Sequence, residues 1–126
     1  MKTIMCFGTF DNLHLGHLSF LEQAKKYGDY LIVVIARDRN VKKLKGKWPR
    51  KKEKVRWQKV KSLSFVDKAI LGQLRDKFKI IKEYKPSVVC LGYDQIVDIQ
   101  ELKKVFFGKI IRLKPYQEHI YKSSKL

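Results

Sequence analysis

T-I-M-C-F-G-T-F-D-N-L-H-L-G-H, residues 3–17, holds a strand, a turn and the start of a helix. Residues 3–7 are a short apolar run that stops at Gly8, the mark of a buried strand. Gly8 lets the backbone approach a ligand closely or turn with positive φ. Beyond the turn, Leu18, Leu21 and Ala24 recur at helical spacing, and Gly28 ends the helix. The start of such a helix presents N–H groups outside the helical ladder and a positive dipole end, which together favour an anion. His14 and His17, three residues apart, share a face of its first turn, and Gly16 between them removes bulk. This pattern suits a phosphate group. A metal would need at least a third ligand, and His119 is the only other histidine.

The alternation continues outward from this stretch. Residues 30–36, Y-L-I-V-V-I-A, form a continuous β-branched run, as in a parallel strand covered on both faces. Residues 37–50 are polar and basic, broken by Gly46 and Pro49, and are expected to form a mobile loop, open without ligand. Helical spacing returns over 51–63, with Val60 and Leu63 inward. A short strand over 68–71 ends at Gly72. The helix expected over 76–84 turns Phe78, Ile81 and Tyr84 inward and stops before Pro86. A strand over 87–91 ends at Gly92, Asp98 caps a helix to Phe107, and 109–113 is the last strand.

Strands alternating with helices predict an α/β fold: a Rossmann-like, doubly wound parallel five-stranded sheet with helices on both faces. No repeat or composition break divides the chain, so one domain over 1–126 is expected. Ligands bind such sheets beyond the carboxyl ends of the strands, where strand order reverses. The segments that fall there are 8–17, 37–50, 72–75, 92–98 and 114–125.

Composition narrows the class. A hydrophobic content of 44% is enough to bury a core. No apolar run approaches the roughly 20 residues of a membrane-spanning helix. The start, M-K-T-I-M-C-F-G, has no signal-peptide pattern, so a cytoplasmic location is expected, with no membrane partner. Cys6 and Cys90 lie in strand-like runs and read as buried, reduced thiols. The net charge is +17, and much of it is local: residues 42–61 hold eleven basic side chains and one acid. Such a field attracts polyanions, namely nucleic acid, nucleotide or anionic lipid, or serves as a solvated face.

The run G-T-F-D-x-L-H-x-G-H resembles the signature of the cytidylyltransferase-like nucleotidylyltransferases. The resemblance implies transfer of a nucleoside monophosphate from a triphosphate to a phosphate-bearing acceptor, with release of pyrophosphate. It implies that His14, His17 and Lys45 are catalytic. The nucleotide would be bound by both histidines together with Gly8, Thr9, Phe10, Arg56, Gly92, Asp94, Ser123 and Ser124. Asp11, Asp38, Lys42 and Lys43 would hold the acceptor. Asp94 stands in L-G-Y-D-Q, similar to the family's G-x-D, and the serines stand in Y-K-S-S-K-L, similar to its C-terminal I-S-T-T/S-S-K run. Also implied are a homodimer and a divalent cation, Mg²⁺ first, bridging the phosphates without assigned protein ligands.

A-R-D-R-N-V-K-K-L-K-G, V-D-K-A-I-L-G, L-G-Y-D-Q and Y-K-S-S-K together resemble the archaeal-type FAD synthases, which are FMN adenylyltransferases. That resemblance implies ATP as donor and FMN as acceptor. One alternative is a cytidylyltransferase that uses CTP and glycerol 3-phosphate or another phosphorylated alcohol. Its members carry a second arginine eight residues past the first, where this chain has Ser64, and an R-T-x-G-I-S-T-T run replaced here by P-Y-Q-E-H-I-Y-K-S-S. Another is a nucleic-acid-binding module on the same scaffold, with Trp48 and Trp57 as stacking platforms among the basic residues. Trp48, Trp57 and Tyr93 equally suit flavin stacking or plain packing.

Overall fold

Strict alternation sorts the strand side chains onto two faces of one sheet. The computed structural model describes residues 1–13, 15–73, 78–91 and 99–113. The strands are β1 (Thr3–Gly8), β2 (Tyr30–Ile35), β3 (Lys68–Leu71), β4 (Val88–Leu91) and β5 (Lys109–Arg112). The helices are α1 (Leu15–Lys25), α2 (Asp38–Lys45), α3 (Glu53–Lys61), α4 (Lys79–Tyr84) and α5 (Ile99–Val105). Ile4, Cys6, Leu31, Val33, Ile35, Val88 and Cys90 point to one face, where they meet Leu21 and Ala24 of α1 and Val60 of α3. Met5, Ile32, Val34, Val89 and Leu91 point to the other and meet Ile80 and Ile81 of α4 and Leu102 of α5. Each such aliphatic side chain, fully buried, adds about 1.5–3 kcal/mol of hydrophobic stabilisation.

All the pairings are parallel, in the order β3-β2-β1-β4-β5. The chain builds outward from β1 through β2 to β3, then returns to lay β4 on the other side of β1. Strand order therefore reverses between β1 and β4, with Cys6 opposite Cys90. This is the doubly wound α/β sheet expected from the sequence, and the crevice lies beyond Gly8 and Leu91.

One expectation is corrected. Residues 37–50 are not a loop throughout, since α2 occupies Asp38–Lys45. The helix buries only Val41, so it leaves no apolar periodicity to read. It ends because Gly46 adopts φ 80° and donates its N–H to the Lys42 carbonyl at 2.9 Å. The expected starts of the helices at Asp76 and Asp98 lie outside the described residues.

Candidate active site

The rim begins at the end of β1. Phe10 has a left-handed φ of 54° that turns its ring back into the core, where it is 4% exposed. That conformation costs a non-glycine residue about 1–2 kcal/mol. A Cβ on Gly8 would lie 2.6 Å from both Cε2 and Cζ of that ring. Gly8 is thus needed for the packing of Phe10, and the positive φ falls at Phe10 instead of Gly8. Phe10, expected among the nucleotide contacts, has its side chain inside. Its ring meets that of His17 edge-on, with centroids 5.4 Å apart and planes at 69°. His17 stands on the first turn of α1, oriented by this contact.

Asp11, implied at the acceptor, is engaged by the protein. Its carboxylate accepts the Arg50 N–H at 2.7 Å and the Lys51 N–H at 2.8 Å, which fastens the turn before α3 to the end of β1. Partial burial pulls its pKa up, but the Lys51 and Arg50 amides and the charges of Arg56 and Arg50 outweigh this, so it lies below the ordinary value.

Arg56 is 0% exposed. Its Nε donates to the Lys51 carbonyl at 2.9 Å, and Nη1 donates to the carbonyls of Thr9 at 2.9 Å and Ala36 at 2.8 Å. Nη2 pairs with Asp38 at 2.6 Å. The arginine implied at the triphosphate is therefore enclosed, tying the ends of β1 and β2 to the starts of α2 and α3. Asp38, implied at the acceptor, is held in the same pair.

A second knot was not read from the sequence. Glu53 accepts the Asp38 N–H at 2.9 Å through Oε1 and pairs with Arg37 Nη1 at 2.8 Å through Oε2. Arg37 Nε reaches the Gly72 carbonyl beyond β3 at 2.8 Å, and Asn40 Nδ2 reaches the Gln73 carbonyl at 2.8 Å. The available signal was Glu53 itself, the single acid among eleven basic residues.

These knots hold α2 over a pocket of about 210 Å³. Phe7, Val34, Val89 and Leu91 form its floor. Val41 and Leu44 of α2 form its roof, with Gly8 and Thr9 at the β1 edge. Lys42, Lys43 and Lys45 are exposed on α2. Lys42 Nζ donates to the Gly46 carbonyl at 3.0 Å and lies 6.0 Å from the ring centroid of Trp48, which is 58% exposed. Trp57 proves to be a packing residue: it lies against the α1/α3 core and donates Nε1–H to the Ala69 carbonyl at 2.6 Å. His14, Gly92, Tyr93, Asp94, Ser123 and Ser124 lie outside the described residues.

Elsewhere, Cys6 and Cys90 are buried free thiols, as expected. Burial pushes the Cys6 pKa well up, so the thiol stays protonated. Among the described residues there is no group of three or more His, Cys, Asp or Glu able to hold a metal, and no helix long and apolar enough to cross a membrane.

The cytidylyltransferase-like family profile matches residues 5–123. The FAD synthase of Methanohalophilus mahii is 45% identical over 100% of this chain and 92% of its own length. That of Ferroglobus placidus is 50% identical over 82% of this chain and 67% of its own length. A crystal structure from Thermoplasma volcanium, described as a lipopolysaccharide core biosynthesis protein, superimposes with a TM-score of 0.86 at 41% identity. That match covers 93% of this chain and 99% of the other. With the helix that bears His17 following β1 at the point of strand reversal and the profile spanning nearly every residue, the chain belongs to the cytidylyltransferase-like family.

Proposed function

We propose that this protein is an FAD synthase that transfers AMP from ATP to the phosphate of FMN and releases pyrophosphate. The observation that carries this reading is the apolar pocket under α2, whose edge is formed by Gly8 and Thr9 at the end of β1, the strand that leads into the helix bearing His17. A flat, largely apolar isoalloxazine suits such a pocket, whereas a phosphorylated polyol would leave its walls unfilled. The names of the similar archaeal proteins point the same way.

In this reading an FMN phosphate oxygen attacks the α-phosphorus of ATP. The bond from that phosphorus to the bridging oxygen of the β-phosphate breaks, and pyrophosphate leaves with the electron pair. The acceptor phosphate is already a nucleophile, so the protein's work is alignment and charge stabilisation. His17 donates hydrogen bonds to the triphosphate from the start of α1, and His14 shares that role. Lys42, Lys43 and Lys45 bring positive charge from α2. Gly92, Asp94, Ser123 and Ser124 belong to the nucleotide side. Arg56, Asp38 and Asp11 act by holding the rim together. ATP enters as its Mg²⁺ complex. Among the described residues, Asp11, Asp38 and Glu53 are engaged by protein donors, and the phosphates would hold the ion.

The test is pyrophosphate release with ATP or CTP as donor and FMN as acceptor, with FAD followed as its own chromatographic peak. FAD from ATP is the expected result. Turnover only with CTP and another phosphorylated alcohol would keep the family chemistry and discard the flavin.

A further inference from the structure

We infer that Glu53 is a positioning residue for the acceptor: it clasps the amino end of α2 and so sets the height of the roof over the apolar pocket. The inference rests on the reading of that pocket as the acceptor's.

The holds on α2 are unequal at its two ends. At the amino end Glu53 joins the first amide of the helix to Arg37, and Arg37 reaches on to the Gly72 carbonyl beyond β3. At the carboxyl end the described hydrogen bonds are local. The Gly46 N–H donates to the Lys42 carbonyl and the Lys42 ammonium to the Gly46 carbonyl across the last turn, and Leu44 is 84% exposed. The helix is therefore a lever fastened at one end, and its roof residues, Val41 and Leu44, stand along it. At about 1.5 Å of rise per residue, Leu44 lies about 9 Å along the axis from Asp38, so a tilt of about 10° at the clasp moves it by about 1.5 Å. A slot for a flat ring does not tolerate that change.

Glu53 differs from the other carboxylate at the clasp, and Asn40 adds a separate bond to the Gln73 carbonyl. Asp38 pairs with a fully buried guanidinium, so removing it would strand a charge in the interior. The Glu53 side chain is 27% exposed and faces Arg37, itself 36% exposed, so its loss leaves no enclosed charge. The donor side has separate supports, since His17 is set on α1 against Phe10. A defect at Glu53 should therefore appear in the acceptor and spare the donor.

The experiment compares wild type, Glu53→Ala and Glu53→Gln by steady-state kinetics, varying FMN and ATP separately, and by amide hydrogen exchange of each protein without substrates. Loss of the charge-assisted bonds in Glu53→Ala should raise the KM for FMN about tenfold, with the KM for ATP changing by less than about twofold. Glu53→Gln still accepts the Asp38 N–H and should recover most of that loss. Exchange over residues 38–46 should quicken about tenfold in Glu53→Ala while the strands keep their protection. Equal rises in both KM values, no rise in either, or unchanged exchange over α2 would overturn the inference. If Glu53→Ala does not fold, Glu53→Gln carries the test with a rise of about threefold for FMN alone. If wild type forms no FAD at all, the flavin reading fails by itself. Exchange then judges the clasp alone: quickening confined to α2 keeps it, and uniform or absent quickening discards it.

Discussion

Main-chain bonds extend the ladders at both ends of the strands, but beyond the carboxyl ends a larger set of side chains also spans the segments and holds them apart. At the amino ends Asp29 donates its N–H to the Lys2 carbonyl at 2.7 Å, Ser87 to Thr3 at 2.8 Å and Lys109 to Ser87 at 3.2 Å. Nothing larger than hydrogen fits on Gly28, where a Cβ would lie 2.7 Å from the Lys2 carbonyl oxygen. At the other end, once the ladders stop, the spans run through Arg56, Asp11, Glu53, Arg37 and Asn40. A main-chain bond brings two backbones into contact. An arginine or glutamate sets them a side chain apart and fixes the gap. The sealed end supplies stability, and the spanned end supplies a cavity of defined shape.

The largest test of this contrast is Arg56→Met. It strands the Asp38 carboxylate and leaves the carbonyls of Lys51, Thr9 and Ala36 without their donor. A loss of about 3–5 kcal/mol is expected by urea denaturation. Lys25→Met removes a partly exposed pair with Asp67 at the sealed end and should cost no more than about 1 kcal/mol. Similar losses at both ends would break the contrast.

His17→Ala comes next. It should lower kcat by about 10²–10³, because a donor to the developing charge is gone, while stability falls by no more than about 1.5 kcal/mol from the lost contact with Phe10. Wild-type turnover in this variant would remove His17 from the reaction.

Two alanine substitutions then sharpen the comparison. Gly8→Ala and Gly28→Ala each force a Cβ into occupied space, and each should cost about 1–3 kcal/mol. At Gly8 the displaced group is the Phe10 ring, which orients His17, so turnover per folded molecule should also fall. At Gly28 the displaced groups are Lys2 and Ile4, far from the rim, so turnover per folded molecule should hold. Thermal melts with active-site-normalised rates separate the two effects.

The strands were legible because burial on both faces leaves continuous apolar runs, and their alternation with helices implied the doubly wound sheet. The place of His17 on the first turn of a helix was legible because the turn before it and the helical spacing after it fix a local frame. Three other features were not. The helix α2 buries one residue, so hydrophobicity could not announce it. Phe10 belongs to the motif, yet nothing in the letters distinguishes a ring aimed at a ligand from one aimed at Gly8. Arg56 was placed at the triphosphate by the family resemblance, and its enclosure by main-chain carbonyls and Asp38 was not read. Its position four residues before the buried Val60 places it on the inward face of α3, a signal that the resemblance overshadowed. Charge is visible in a sequence, but the acceptors that claim it come from segments brought together only by the fold.

The smallest expected effect concerns acid, and it contrasts the two ends once more. Asp67 lies below its ordinary pKa because the Lys25 ammonium donates to it at 2.6 Å and the Leu31 amide at 2.7 Å. Asp11 is depressed despite partial burial, by the Lys51 and Arg50 amides and their neighbouring charges. A carboxyl whose folded pKa is lowered stabilises the fold above its unfolded pKa of about 3.9 and loses that contribution as pH falls through the lower, folded value. Both groups are partly solvated, so each contributes about 1 kcal/mol or less. Asp67→Asn should flatten the fall in stability below about pH 4 and leave turnover at neutral pH unchanged. Asp11→Asn should flatten the same limb and also lower turnover, because an amide oxygen cannot hold both Arg50 and Lys51 as the carboxylate does. If neutral turnover fell in Asp67→Asn as it does in Asp11→Asn, the sealed end would be coupled to the rim through the sheet. The division between an end that stabilises and an end that shapes the site would then have to be abandoned.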